Sequence, residues 1–301
     1  MRRRLVSFIG LGGRESGSDF LYTYLHAHPE TYIPKKSTQF FSDPHRYARG
    51  ADWYEARFSA CSKKQIPGEC ATDYLQNPAA AERIAHLYPE AKLLAVVCNP
   101  VDRLYREHQR AIKNGSITPQ VSLKRYIDLH PESLARGLFG KQLETYFELY
   151  SPLQLRVIVH EDRYKNPIQY IQTVYSFLEI DETFVPKALR QFIVIDPDDP
   201  PPRPWWQRLL LLPFAPLRWL RLHHLALKVW RLLKPYINKI IPTRKSAVTN
   251  HAQIPPAVPV YGELLDAVHE YYAADVQRLS RIVKRDLNTE WGIMPGAPKQ
   301  F

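Results

Sequence analysis

The sequence predicts an α/β protein of three layers, with helices on both faces of a central parallel sheet. Three observations predict it. Apolar runs at Leu5–Leu11, Ala91–Cys98 and Leu155–His160 alternate with stretches of helical periodicity. The middle run, AKLLAVVC, is apolar almost throughout, as a parallel strand covered on both faces must be. The first run enters a glycine-bearing polar turn and then a helix start, the local geometry in which backbone N–H groups and a helix dipole cradle an anion.

The elements follow in order. Leu5–Leu11 reads as the first core strand. MRRRLVSFIGLGG imitates the basic and apolar parts of a signal peptide, but the apolar stretch is short, lacks a small-residue cleavage site and runs straight into Gly12-Gly13. After the turn Arg14–Asp19, residues Phe20, Leu21, Tyr24 and Leu25 recur at helical spacing. Gly12 and Gly17 are spaced as in a phosphate loop, making the domain P-loop-like, yet Ser18 and Asp19 stand where that loop needs Lys and Ser/Thr. An ordinary nucleoside triphosphatase is therefore disfavoured. His28-Pro29-Glu30 and a short extended piece lead to Phe40-Phe41, expected to be core aromatics. Tyr47, Trp53, Tyr54 and Phe58 keep helix-like spacing, Gly68–Tyr74 reads as a strand end and loop, and Pro78–Tyr88 as a helix. A helix is expected over Val101–Asn114, directly after Asn99-Pro100. Others are expected over Leu134–Tyr150, Ile168–Leu178 and Leu264–Trp291, with Glu161-Asp162 at the carboxyl end of the last strand.

The net charge of +11 is concentrated. Between Arg203 and Lys245 there are ten Lys/Arg and no Asp or Glu, so the remainder is nearly neutral; four of the six tryptophans, Trp205, Trp206, Trp219 and Trp230, lie there too. Pro213 and Pro216 interrupt this segment. Over Leu217–Lys234 the residues Arg218, Arg221, His224, Lys228, Arg231 and Lys234 form one basic stripe opposite a Trp/Leu arc. Such an amphipathic helix has the signature of one lying in a bilayer interface, but a tertiary or oligomeric contact is the leading expectation for it. Nucleic acid is disfavoured, because the aromatics alternate with leucines instead of forming a stacking platform. The domains expected are a core over 1–200, a basic segment over 201–250 acting as lid, oligomer or membrane contact, and a helix over 251–301 packing back on the core. Asp196–Pro204 is a turn-rich linker.

Cys61, Cys70 and Cys98 show neither paired nor metal-ligand spacing, which fits a reducing, cytoplasmic setting. No twenty-residue uncharged run suggests a membrane span, so any membrane contact is expected to be peripheral. The eleven histidines show no metal spacing, and no metal site is expected.

Placed in order, these pieces resemble the sulfotransferase family, in the branch that includes bacterial and carbohydrate sulfotransferases, over nearly the full length. The family's G-x-P-K-x-G-T-T is similar to Gly12–Asp19, its H-P-E to His28-Pro29-Glu30, and its K-E-P-H-F-F-S to Lys36–Ser42. Its G-E-K-S-P-x-Y resembles Gly68–Tyr74, and its A-K-L-I-x-x-L-R-N-P-V-D-R-A-Y-S resembles Ala91–Arg106. Arg136–Phe139, His160–Asp162 and Tyr272–Leu287 are similar to its R-G-x-Y, Y-E-D and C-terminal elements. The resemblance implies transfer of a sulfuryl group from 3′-phosphoadenosine 5′-phosphosulfate (PAPS) to an acceptor such as a glycan or lipid hydroxyl. That chemistry needs cations around the donor, a proton acceptor for the attacking group and a cation at the leaving phosphate.

Residue by residue, the family's chemistry is missing. Glu15 stands at the position of the loop lysine, Asp19 at that of a phosphate-binding threonine, and Ser37 at that of the glutamate base. Cys70 replaces a lysine, Cys98 the arginine of the 3′-phosphate, and Arg106 that arginine's serine partner. Gly12, Gly17, Ser18, Asn99-Pro100, Asp102-Arg103, Tyr105, Tyr74 and Glu161-Asp162 keep the turns and caps. Three functions are weighed. The leading one is a sulfotransferase-fold binding or accessory protein that no longer transfers sulfate. The alternative is an active PAPS-dependent enzyme with a rearranged site, in which Gly12, Arg14, Gly17, Ser18, Arg106 and Arg203 hold PAPS or its product PAP (3′-phosphoadenosine 5′-phosphate). The third is the same fold redirected to other chemistry through Glu15 with Asp19, or Cys70 with Cys98.

Overall fold

The computed structural model describes residues 6–34, 37–190 and 263–293. Lys35, Lys36, the linker Asp196–Pro204, Arg203 and the whole of Trp205–Lys234 lie outside the described residues. Among the described residues no helix is long and apolar enough to cross a membrane.

Five parallel strands make the sheet: β1 (Phe8–Gly12), β2 (Thr31–Tyr32), β3 (Ile66–Cys70), β4 (Lys92–Val97) and β5 (Leu155–Val159). Their order is β2-β3-β1-β4-β5, so β1 and β4 are central. Both are buried on both faces, as the apolar run of β4 requires. Alternation along the strands separates two cores. Ile9, Leu11, Leu93, Ala95 and Val97 join a cluster with Phe40, Phe41, Tyr54, Tyr74, Ile84, Leu143 and Tyr272. Lys92 points to the opposite face, where its ammonium donates to the Phe177 carbonyl at 2.8 Å.

Helices cover both faces. On the Lys92 side lies α1 (Ser18–Ala27); the short helices α2 (Pro44–Tyr47) and α3 (Ala51–Glu55) follow it in the chain, and Tyr54 of α3 belongs to the aromatic cluster. On the aromatic side lie α4 (Pro78–Leu87) and α5 (Pro100–Lys113), followed by α6 (Leu123–Leu129), α7 (Glu132–Ala135) and α8 (Phe139–Leu149). The chain continues through α9 (Asp162–Lys165), α10 (Pro167–Leu178) and α11 (Lys187–Arg190) to α12 (Glu263–Val283) and α13 (Leu287–Trp291). Tyr175 of α10 donates its hydroxyl to the Tyr24 carbonyl of α1 at 3.3 Å, joining those two helices in one layer. Tyr146 of α8 donates to the Tyr74 carbonyl at 2.7 Å in the other.

Two helices expected as single pieces are broken. The stretch Leu134–Tyr150 divides at Gly137, and Asp275 of α12 accepts from the N–H groups of Gly140 and Lys141 at 2.8 Å each, capping α8 from another helix. Leu264–Trp291 divides where Lys284 adopts φ +56° and Asp286 caps α13 by accepting from Thr289 N–H at 3.2 Å. The long helix α5 begins as the sequence predicts. Asn99 caps it, accepting from Val101 N–H at 2.9 Å, and Pro100 fills the first turn where no donor is needed.

Candidate functional site

The loop after β1 is a tight left-handed path. Gly12 has φ +73°, and a Cβ there would run into the Ala71 carbonyl. Gly17 has φ +87° and forms the N-cap of α1 with no side-chain cap; a Cβ on it would collide with the ring of His160. Only glycine fits either position. Ser16, fully buried, closes the loop by donating its hydroxyl to the Gly13 carbonyl at 2.8 Å. Glu15, a non-glycine, also stands at φ +61°, a conformation that costs roughly 1–2 kcal/mol for an L-residue.

Helix α5 faces this loop with two arginines one turn apart, and both are engaged. Arg106 donates from Nε to the Glu15 carbonyl at 3.2 Å and from Nη2 to the Cys98 sulfur at 3.1 Å. Its guanidinium thus lies against Cys98. Burial pushes the Cys98 thiol up to about 12 despite the pull of Arg106, so it stays protonated and unreactive. Arg110 pairs through Nε with the Glu15 carboxylate at 2.9 Å and stands 4.0 Å from Asp19. Burial raises the Glu15 pKa, Arg110 pulls it back, and Asp19 pushes it further up.

A cleft of about 700 Å³ opens over these groups, lined by Arg14, Glu15, Gly17, Ser18, Asp19, Arg106 and Arg110, and further out by Glu107, Glu132, Arg136, His160 and Arg163. Acids and arginines interleave along it. Arg136 pairs with Glu107 and, at 3.5 Å, with Glu132, while Glu107 also takes the buried Arg103 at 2.7 Å. Arg14 is exposed at the rim. His160 is 3% exposed, and burial, with Arg163 and Arg106 adding to it, lowers its pKa to about 3; the ring packing on Gly17 is a neutral imidazole.

Two of the three positions at which the family keeps a catalytic residue lie off this cleft. Ser37 donates to the Glu69 carboxylate at 3.3 Å, and Cys70 is packed against Gly10 of β1 with its thiol pushed up to about 12 by burial. Glu69, 1% exposed, is the hub there. It accepts from Thr38 N–H at 2.5 Å, the Thr38 hydroxyl at 2.7 Å, Tyr54 at 2.9 Å and Tyr74 at 3.0 Å. Of the candidate donor-binding residues, Arg14, Gly17, Ser18 and Arg106 come together on the cleft; Gly12 does not line it but shapes the turn that leads into it, and Arg203 lies outside the described residues. Glu15 and Asp19 turn to Arg110, and among the described residues no group of three His, Cys, Asp or Glu stands ready for a metal ion.

Sequence reasoning missed Arg110, Glu69 and His160. Arg110 was within reach, because it follows Arg106 by one helical turn and shares its face. The contact of His160 with Gly17 joins residues far apart in the chain and leaves no local signal.

Residues 9–193, more than half of the chain, match the sulfotransferase domain, and the chain belongs to the sulfotransferase family. It is 28% identical over 207 residues to the human bifunctional heparan sulfate N-deacetylase/N-sulfotransferase 2, covering 59% of this chain and 22% of that protein. The corresponding Drosophila melanogaster protein is 27% identical over 210 residues, covering 58% and 20%. The match thus spans about a fifth of the length of these curated relatives. Among solved structures, a sulfotransferase from Alicyclobacillus acidocaldarius superposes with a TM-score of 0.64 at 21% identity, covering 95% of this chain and 98% of that one. That likeness supports the three-layer fold.

Proposed function

We propose that this chain is a binding or accessory member of the sulfotransferase family in which PAPS-dependent sulfuryl transfer has been lost. One observation carries the reading: the carboxylate of Glu15 occupies the position of the family's loop lysine and is held 2.9 Å from Arg110. The position that would meet the leaving phosphate thus carries an anion, and the loop's own cation, Arg14, is exposed at the rim. Losing one charged donor at such a site costs roughly 2–4 kcal/mol, about 30- to 1,000-fold in rate. Calorimetric titration with PAP tests it. The expected result is no binding in the micromolar range; micromolar affinity overturns the reading.

The second reading is an active enzyme with a rearranged donor site. What favours it is Arg106, which brings a guanidinium to within 3.1 Å of the Cys98 sulfur and so restores one charge at the 3′-phosphate position. The heparan sulfate relatives then favour a glycan over a lipid as acceptor. The same titration decides, since this reading requires PAP to bind.

The segment Trp205–Lys234 belongs to the proposal as a contact surface for a protein partner or an anionic membrane, in a cytoplasmic, peripheral setting. Its basic stripe and Trp/Leu arc support that role. Flotation with anionic vesicles separates the two. Flotation that disappears when Trp219 and Trp230 are replaced by Ser identifies a membrane contact; flotation unaffected by the change removes it.

A further inference from the structure

The cleft contains its own anion. The Glu15 side chain is only 10% exposed and lies on the Nε edge of Arg110, whose side chain is 56% exposed. The guanidinium therefore still opens on the cleft. The backbone beneath Glu15 is held by Arg106, which donates to its carbonyl at 3.2 Å. Next to it the first turn of α1 begins at Gly17 without a side-chain cap, and its N–H groups point where an oxyanion is stabilised. Against Gly17 sits the buried His160, whose Nδ1 has no hydrogen-bond partner. An exposed guanidinium and an uncapped helix start line the same cleft, His160 packs behind Gly17, and the carboxylate of Glu15 occupies the guanidinium.

We propose that Glu15 is a tethered anion, and that a ligand bearing a sulfate or phosphate monoester enters the cleft by displacing the Glu15 carboxylate from Arg110. This rests on the reading of the cleft as a binding site. The displaced carboxylate cannot go far, because its backbone is pinned, so it remains near the charge of the incoming ligand. Arg110 and Arg106 lower the Glu15 pKa in the free protein, against burial, Asp19 and Glu107, which raise it. A ligand that takes Arg110 removes the first of the lowering influences and adds a further negative charge. The pKa of Glu15 is then higher in the complex than in the free protein, and binding takes up a proton. Affinity is full below the free-protein pKa and falls as the pH rises toward the value in the complex. The groups facing Glu15 are Asp19 from α1, Arg106, Glu107 and Arg110 from α5 and Cys98 after β4, with His160 nearby behind Gly17. His160, lowered to about 3, and Cys98, raised to about 12, both stay neutral through that window.

The test is calorimetric titration with inorganic sulfate, whose charge is constant across neutral and mildly acidic pH, in buffers of different ionisation enthalpy. The expected results are proton uptake on sulfate binding to the unmodified chain, and affinity about tenfold or more higher in Glu15→Gln, without proton uptake. The gain is expected to vanish when Arg110→Ala is added to Glu15→Gln. Equal affinity of the two proteins, including no binding by either, overturns the proposal, as does binding to the unmodified chain without proton uptake at any pH across the mildly acidic to neutral range. The latter measurement needs no variant, so a misfolded Glu15→Gln leaves the proposal open to refutation. Micromolar affinity of the unmodified chain for PAP would overturn the binding-only function and leave the exchange to be judged by sulfate.

Discussion

Replacing Glu69 by alanine is expected to destabilise the protein by about 3–5 kcal/mol, the scale of breaking a buried polar network. Its carboxylate gathers Thr38, Tyr54 and Tyr74 into one buried cluster and ties the Phe40-Phe41 segment to β3. Removing it leaves the Thr38 N–H and the hydroxyls of Ser37, Thr38, Tyr54 and Tyr74 without that acceptor, and Tyr54 and Tyr74 are both fully buried in the aromatic core. Glu69→Gln is expected to be much milder, near 1 kcal/mol. The amide oxygen can face the Thr38 N–H, which can only donate, and the amide N–H groups can face the two tyrosine hydroxyls, which can turn to accept. Chemical denaturation of the three proteins checks the order. Equal losses for Ala and Gln would show that the negative charge itself, rather than hydrogen-bond satisfaction, holds the cluster.

Restoring the cation that Glu15 displaced should have the largest effect on binding. Glu15→Lys is expected to tighten PAP binding by roughly 30- to 1,000-fold over the unmodified chain. The substitution removes a carboxylate and adds an ammonium at a loop already shaped by Gly12 and Gly17. It also frees Arg110, which pairs with Glu15 at 2.9 Å. Lysine and glutamate tolerate φ +61° equally badly, so the backbone gives no reason for a difference in folding. If Glu15→Lys binds PAP no better than the unmodified chain, the loss lies elsewhere, with Cys98, Asp19 and Cys70 next to be tested.

Most of the fold was legible in the chain because it rests on local signals. The continuous apolar run of β4, the Asn99-Pro100 start of α5 and the glycine spacing after β1 each act within a few residues, where periodicity and caps are readable. The breaks after α7 and α12 were not. The first depends on Asp275 capping α8 across 134 and 135 residues. The second depends on a left-handed lysine, Lys284, a residue type that gives no warning of positive φ. At the site, the charge reversal at Glu15 was evident from the motif. Its partner was not, because an ion pair between a loop and the far turn of α5 is a tertiary fact.

The sequence by itself determined the parallel α/β architecture, the sulfotransferase family and the residues Glu15, Cys70 and Cys98 at positions where the resemblance expects cations. These follow from residue identity at spaced positions, which folding does not alter. Tertiary structure alone decided what became of the charges: that Arg106 lies against Cys98, that Arg110 neutralises Glu15, and that Ser37 belongs to the Glu69 cluster instead of the cleft. Electrostatic pairing depends on distance through space and on burial, and neither is written in the spacing of residues along the chain.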